Sequence, residues 1–249
     1  MTSALRPDGG EQELSDQIED IVPSHGCRKV PVVGLGGSAG SIEALQQFFG
    51  AMPLQSGLAF VVMVHLPADH DLLLTEVIHR RTRMKVVEVP QTLVLDANTV
   101  YVIPPGKVLQ LQDGELCLAD LPEGRARHLM VDVLFRTLAA SHGVHAAAVV
   151  LSGLDGDGAI GIRRIKERGG LTVAQDPEQA AHGSMPRRAI DTGMVDWVLP
   201  VQDMPARLLA YFRRENAVAL PPQDGPAEAA RRKDAQSISD LANHEPEPH

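Results

Sequence analysis

The stretch Val32-Val33-Gly34-Leu35-Gly36-Gly37-Ser38-Ala39-Gly40-Ser41 limits the possible folds of this chain more than any other. An apolar run from Val30 to Leu35 is broken by glycines, and Ser41 then opens a segment with Ala44, Leu45 and Phe48 on one helical face. That order reads as strand, tight turn and helix. A serine at the apex of such a turn presents its hydroxyl at the carboxyl end of a sheet, where backbone N–H groups of the helix N-terminus point the same way. Three readings fit the glycines. Gly36-Gly37-Ser38-Ala39-Gly40 matches the G-x-S-x-G elbow of a nucleophilic serine. Gly34, Gly36 and Ala39 match the G-x-G-x-x-G/A turn of a dinucleotide site. A glycine-rich connection that binds nothing satisfies both patterns.

The remaining chain alternates. Leu58 to Val64 is a continuous apolar run, the mark of a buried parallel strand, and Asp71 to Arg83 follows as a helix with Leu72, Leu73, Val77 and Ile78 inward. Short strands are expected at Val86–Val89 and Thr99–Ile103. Val108–Leu111 and Leu116–Leu118 flank Asp113-Gly114, a hairpin signal. Then come a helix at Val131–Ser141, a strand at Ala146–Leu151, a helix at Ala159–Arg168, a strand at Leu171–Ala174, a helix after Pro186, a strand at Trp197–Leu199 and a helix at Met204–Arg213. This pattern predicts an α/β protein: a three-layer α/β/α sandwich with a doubly wound, mostly parallel sheet and an inserted antiparallel β-hairpin.

Residues 1–29 are expected to form an acidic, mobile arm with a short helix at Leu14–Val22. Residues 30–214 are expected to form the folded domain, and residues 215–249, rich in Pro, Ala and charge, a disordered tail. The formal net charge is -9, of which the two ends carry -3 and -4, so the centre lacks the basic field that nucleic acid requires. No apolar run reaches the ~18 residues of a membrane span, and the first residues lack the apolar segment of an export signal. With only two cysteines, Cys27 and Cys117, the expected location is cytoplasmic.

Ligands of such sheets sit beyond the carboxyl ends of the strands. Three ends carry reactive groups: Ser38, His65 after Leu58–Val64, and Asp157 in Ser152-Gly153-Leu154-Asp155-Gly156-Asp157-Gly158. They can supply a nucleophile, a base and an orienting carboxylate. His65 argues against the dinucleotide reading, which wants an acidic residue at the end of the second strand. An α/β-hydrolase order of Ser38, Asp157 and His182 is the rival, but His182 is expected in a surface loop and is the poorer base. His65, Asp69, His70, Asp71 and His79 do not share one element, so no metal is expected, and no cofactor.

The sequence resembles the catalytic domain of the CheB-type chemoreceptor methylesterases from about Val32 to Leu209. The family pattern G-A-S-[TA]-G-G is similar to Gly36-Gly37-Ser38-Ala39-Gly40-Ser41, its strand-end histidine to His65 in Val64-His65-Leu66-Pro67, and its acid motif S-G-x-G-x-D-G to Ser152–Gly158. Tyr101–Gly106 and Gly183–Ile190 also resemble family segments. The resemblance implies Ser38 as nucleophile, His65 as general base and then acid, Asp157 as its orienting carboxylate, and an oxyanion hole from the N–H groups of Ala39 and Leu154. It implies hydrolysis of glutamate γ-methyl esters on chemoreceptor helices, with methanol released and receptor glutamine deamidation in some relatives. Arg127 and His128, with Arg125, are candidates to meet an acidic receptor helix. A CheR-type methyltransferase is a further candidate partner, and a non-catalytic interaction module of the same fold is the alternative function.

Three departures stand out. Gly37 replaces Ala, and Ser41 replaces the second Gly, where it is expected to cap the helix. Asp155 adds a carboxylate expected to raise the pKa of His65 or to repel an acidic substrate. The 29-residue arm is too short for the receiver domain of phosphorylation-controlled relatives, so a stand-alone catalytic domain is expected. Control is then expected from substrate supply, a partner, or the acidic ends lying over Arg125, Arg127 and Arg187.

Overall fold

The computed structural model describes residues 29–65, 74–112, 114–121 and 129–217. Seven strands form one sheet: β1 (Val32–Gly37), β2 (Ala59–Val64), β3 (Lys85–Glu88), β5 (Thr99–Val102), β8 (Ala146–Val150), β9 (Leu171–Gln175) and β10 (Trp197–Leu199). Their order is β10-β9-β8-β1-β2-β5-β3, and every pairing is parallel. β1, β2 and β8 are buried at every position, as expected of central parallel strands covered on both faces. The partly exposed β3 and β10 close the two edges.

A second, antiparallel sheet has the order β4-β7-β6, built from β4 (Thr92–Leu93), β6 (Lys107–Gln112) and β7 (Glu115–Asp120). The expected hairpin is therefore one part of a three-stranded sheet. Its third strand is only two residues long, too short for any periodicity to reveal. Asp113, at the turn of the hairpin, lies outside the described residues, as do the expected arm helix, most of the expected tail and the start of the expected helix at Asp71.

The helices are α1 (Ser41–Ala51), α2 (Leu74–His79), α3 (Met130–His142), α4 (Ala159–Glu167), α5 (Ser184–Asp191) and α6 (Met204–Ala217). α2 stops at His79, four residues before the expected end, and α6 runs four residues beyond its own. Among the described residues, no helix is long and apolar enough to cross a membrane. The chain divides into two compact units between Asp203 and Met204. In the second unit the rings of Tyr211 and Phe212 meet edge to face at 5.1 Å.

Alternation along β1 decides which helix covers which face of the sheet. Phe48 and Phe49 of α1 meet Phe60 of β2 edge to face, with ring centroids 6.0 and 5.6 Å away. Fully burying each ring contributes about 1.5–3 kcal/mol, and each pairing adds about 0.5–1.5 kcal/mol. On the opposite face α3 presents Val131, Leu134, Phe135 and Leu138, all fully buried, at helical spacing. Gly34 and Gly36 lie beneath them: a Cβ on Gly34 would stand 2.7 Å from Leu138 Cδ1, and one on Gly36 would overlap Val131. The missing side chains on β1 therefore set how closely α3 approaches the sheet. α3 also holds the second sheet, where Thr137 Oγ1 donates to the Leu109 carbonyl at 2.9 Å.

Gly36→Ala is expected to push α3 from the sheet and destabilise the protein by about 1–3 kcal/mol, the usual cost of overpacking. Gly50→Ala, in α1 with nothing within 4 Å of the added methyl, is expected to be neutral or stabilising by up to about 1 kcal/mol. Thermal melts of the two variants check the contrast; equal melting temperatures would show that the α3 contact is not tight.

Candidate active site

The strand order places β8, β1 and β2 side by side, with the switch in winding direction between β8 and β1. A crevice forms at such a point beyond the carboxyl ends. Gly37 of β1 is in register with Val64 of β2, so Ser38 and His65 leave the sheet together, and the His65 N–H donates to the Gly37 carbonyl at 3.0 Å. On the other side, the Ser38 N–H donates to the Ser152 carbonyl at 2.9 Å.

Ser152 fastens this region. It is fully buried, its Oγ donates to the Ala39 carbonyl at 2.8 Å, and it accepts from the His182 N–H at 2.9 Å. Its own N–H donates to Gln175 Oε1 at 2.8 Å. One hydroxyl thus ties the serine turn to the loop after β9. Gly40 completes the turn at φ +77°, and a Cβ there would stand 2.6 Å from Ala181 Cβ and 2.8 Å from Ser152 Oγ. Gly40 needs its lack of a side chain both for that backbone conformation and for that approach.

Ser41 is not the helix cap it was expected to be. It is the first residue of α1, Gly40 holds the capping position without a side-chain bond, and Ser41 Oγ donates backward to the Ser38 carbonyl at 2.6 Å. Its departure from the family pattern is coupled to that of Gly37. A Cβ on Gly37 would stand 2.5 Å from Ser41 Cβ, so the two positions share one small volume. With the side chain at position 41, position 37 has to be bare.

Asp157 is the most constrained carboxylate of the region, its side chain fully buried. Its Oδ2 accepts from the Val131 N–H, and its Oδ1 from the Asp132 and Gly158 N–H groups, each at 2.8 Å. Two of these donors are orphan groups at the start of α3, which has no side-chain cap of its own. Asp132, in the first turn of α3, returns the favour to α4 by accepting from the Gly161 N–H at 2.7 Å. The two helices therefore exchange capping carboxylates. Burial pushes the Asp132 carboxyl up to about 6; the Gly161 N–H opposes this, and the charge of Asp157 adds to it.

His65 lies between two carboxylates. Its Nε2 is 2.9 Å from Asp157 Oδ2, and its Nδ1 is 3.3 Å from Asp155 Oδ2. The Nε2 contact is close but poorly aligned for an N–H donor, so charge attraction carries it. Burial pulls the pKa of His65 down, but the hydrogen-bonding reach and charge of Asp157, followed by those of Asp155, outweigh it and leave the pKa raised above 6.5. Among the described residues the Ser38 hydroxyl makes no hydrogen bond, and neither the Ala39 nor the Leu154 N–H donates to another group. Leu154 is exposed. Ser38 meets its loop closely, since a Cβ on Gly153 would stand 3.1 Å from Ser38 Cβ.

Ser38, His65, Asp157, Ala39 and Leu154 thus converge on one end of the sheet, whereas Arg127, His128 and Arg125 lie outside the described residues. Arg187 is paired with Glu178 at 2.7 Å on the surface. Arg188, which the sequence reading did not single out, has its Cδ where a Cβ on Gly156 would be only 2.6 Å away, next to the acid loop. His182 stays exposed, but its backbone clasps Ser152 and Gly153. Asp132 was also missed, although a carboxylate among Val131, Leu134 and Phe135 on an apolar helix face was a readable signal. The segment Tyr101–Gly106 contributes Ile103 and Pro104 to a cleft that also contains Val64, the neighbour of His65.

Known proteins share this arrangement of elements. A protein-glutamate methylesterase/protein-glutamine glutaminase of Hydrogenovibrio crunogenus is 32% identical over 196 residues, covering 77% of this chain and 50% of the relative. Another such protein, from Anaeromyxobacter dehalogenans, is 36% identical over 194 residues, covering 75% and 55%. The chain spans about half the length of these curated relatives. The crystal structure of the Thermotoga maritima CheB methylesterase catalytic domain superposes with a TM-score of 0.66 at 25% identity, covering 73% of this chain and 98% of that one. The CheB methylesterase family model matches residues 33–208, most of the chain, and the protein therefore belongs to the CheB methylesterase family.

Proposed function

We propose that this protein is a serine esterase that hydrolyses glutamate γ-methyl esters on the cytoplasmic helices of chemoreceptors, with Ser38 as nucleophile, His65 as general base and acid, and Asp157 as the carboxylate that orients His65. The observation that carries this reading is the 2.9 Å approach of His65 Nε2 to a fully buried, backbone-anchored Asp157, one strand away from Ser38. The names of the relatives support a methyl ester of protein glutamate and the amide of protein glutamine as substrates. Residues 30–214 would form the catalytic domain, and Arg127, His128 and Arg188 are candidates to meet the acidic face of a receptor helix.

In the first half-reaction, Ser38 Oγ attacks the ester carbonyl while His65 takes the hydroxyl proton. The oxyanion gathers at the Ala39 and Leu154 N–H groups, which donate to no other group among the described residues. Collapse breaks the bond to methoxide, which leaves as methanol with the proton from His65, and Ser38 is left acylated by the glutamyl group. Water then attacks with His65 again as base, freeing the glutamate carboxyl group and Ser38. The attack requires His65 to keep Asp157 on Nε2 and to open Nδ1, which rests by Asp155, toward Ser38; catalytic hydrogen bonds often tighten only with substrate bound.

Methanol release from methylated receptor is expected from the protein and not from Ser38→Ala; equal release from both would refute the esterase reading. His65→Ala is expected to lower turnover by several orders of magnitude, with His182→Ala nearly silent. The reverse pattern would favour the α/β-hydrolase order. Asp157→Asn is expected to cost roughly 10⁴-fold in kcat, as the analogous change does in a serine protease, and also to lower the melting temperature, because the same carboxylate caps α3.

The base form of His65 appears only as pH rises through its pKa, which is raised above 6.5. The acid limb of kcat/KM is therefore expected above pH 6.5, as measured by initial rates across pH. A limb below that value would exclude His65, in this environment, as the base.

A further inference from the structure

A general base needs one ring nitrogen held by its carboxylate and the other open to the nucleophile. Here the second nitrogen faces another carboxylate. His65 Nδ1 faces Asp155 Oδ2 at 3.3 Å, while the Ser38 hydroxyl makes no bond among the described residues. Asp155 is placed for this by its own loop: its Oδ1 accepts from the Asp157 N–H at 3.4 Å, a local turn that aims Oδ2 at the imidazole. The acid motif of the family has glycine at this position, so the contact belongs to this chain and not to the shared pattern.

We propose that Asp155 is a positioning residue that occupies the second ring nitrogen of His65 and holds the imidazole away from Ser38, so that only the fraction of molecules with this contact open can react. The inference rests on the esterase reading above and adds a restraint to it. The geometry suits a releasable contact. The Asp155 side chain is 31% exposed and lies at the long end of ion-pair distance, whereas Asp157 is fully buried and tied by three N–H groups. Water or substrate can compete for the first and not for the second.

Among the described residues, the ionisable groups facing His65 are Asp155 and Asp157, both from the loop between β8 and α4, with Asp132 of α3 behind Asp157. Both facing carboxylates favour the protonated ring, so Asp155 reduces the supply of free base as well as the geometry needed to use it. The sign is definite: removing Asp155 moves the His65 titration to lower pH, and base activity then persists further into acid.

Two variants separate charge from shape. Asp155→Asn keeps the local turn and removes the charge; Asp155→Gly restores the family's glycine. Two readouts are taken on the full chain, with folding checked by thermal melts. The first is the pH dependence of kcat/KM for Ser38-dependent hydrolysis of p-nitrophenyl acetate and of methylated receptor. The second is the NMR titration of the His65 imidazole, assigned by its loss in His65→Gln. In both variants the acid limb and the titration are expected to move down together by about one pH unit, the low end of the effect of a nearby opposite charge. Below the limb that is about tenfold more activity. An unmoved His65 titration, or a moved titration with an unmoved limb, would overturn the proposal. A fall in kcat at all pH values in both variants would also overturn it, because Asp155 would then be supporting catalysis. If the wild-type protein shows no Ser38-dependent turnover, the esterase reading fails, and the NMR titration alone decides whether Asp155 engages His65.

Discussion

A buried carboxylate in an α/β protein is tolerated only where donors compensate its lost hydration, and Asp157 finds them by joining parts of the chain that are distant in sequence. Its two oxygens take two N–H groups in the first turn of α3 and the N–H of Gly158, and one of them also meets His65. Asp132 performs the same service for α4. Helix docking and the placement of the imidazole are therefore one electrostatic arrangement. It depends in turn on Gly36, because α3 reaches Asp157 only if Val131 can lie against a strand with no side chain at that position.

The serine turn is built on the same principle of close approach. Ser152, buried beyond the end of β8, joins the turn to the end of β9 and to the loop that follows it through its hydroxyl and backbone. The paired change at positions 37 and 41 shows why a motif should not be read one residue at a time. Gly37 and Ser41 each depart from the family pattern, yet in space they divide one small volume between them. Among the described residues, the N–H groups of Ala39 and Leu154 donate to no other group, and donors left open in this way suit the proposed role at a developing oxyanion.

Asp157 and Asp155 stand two residues apart on one loop but meet different conditions. Asp157 is fully buried and anchored by backbone donors; Asp155 is partly exposed, faces His65 with one oxygen and holds the other in a single long local bond. The histidine between them therefore has one firm partner and one weak one. The same chemical group is a fixture in one position and, in the proposed restraint, an exchangeable contact in the other, and burial makes the difference.

Much of this protein was legible in its sequence. Continuous apolar runs such as Ala59–Val64 and Ala146–Val150 suit central strands of a covered parallel sheet, and such strands bring the segments that follow them to one end of the sheet, where the structure places Ser38, His65 and Asp157. Short elements and cross-chain relations were not legible. β4 has two residues and no period. Ser41 looked like a cap because the residue type suits one, but the free N–H groups that needed capping were those of α3, and Asp157 meets them from 25 and 26 residues further along the chain. The pairing of Arg187 with Glu178 and the approach of Asp155 to the second nitrogen of His65 likewise arise from how loops fold over the ends of adjacent strands. Local pattern determines what each segment becomes, because periodicity and backbone freedom act over a few residues; only the tertiary structure decides which polar group satisfies which, because that depends on distance and burial between segments brought together from far apart in sequence.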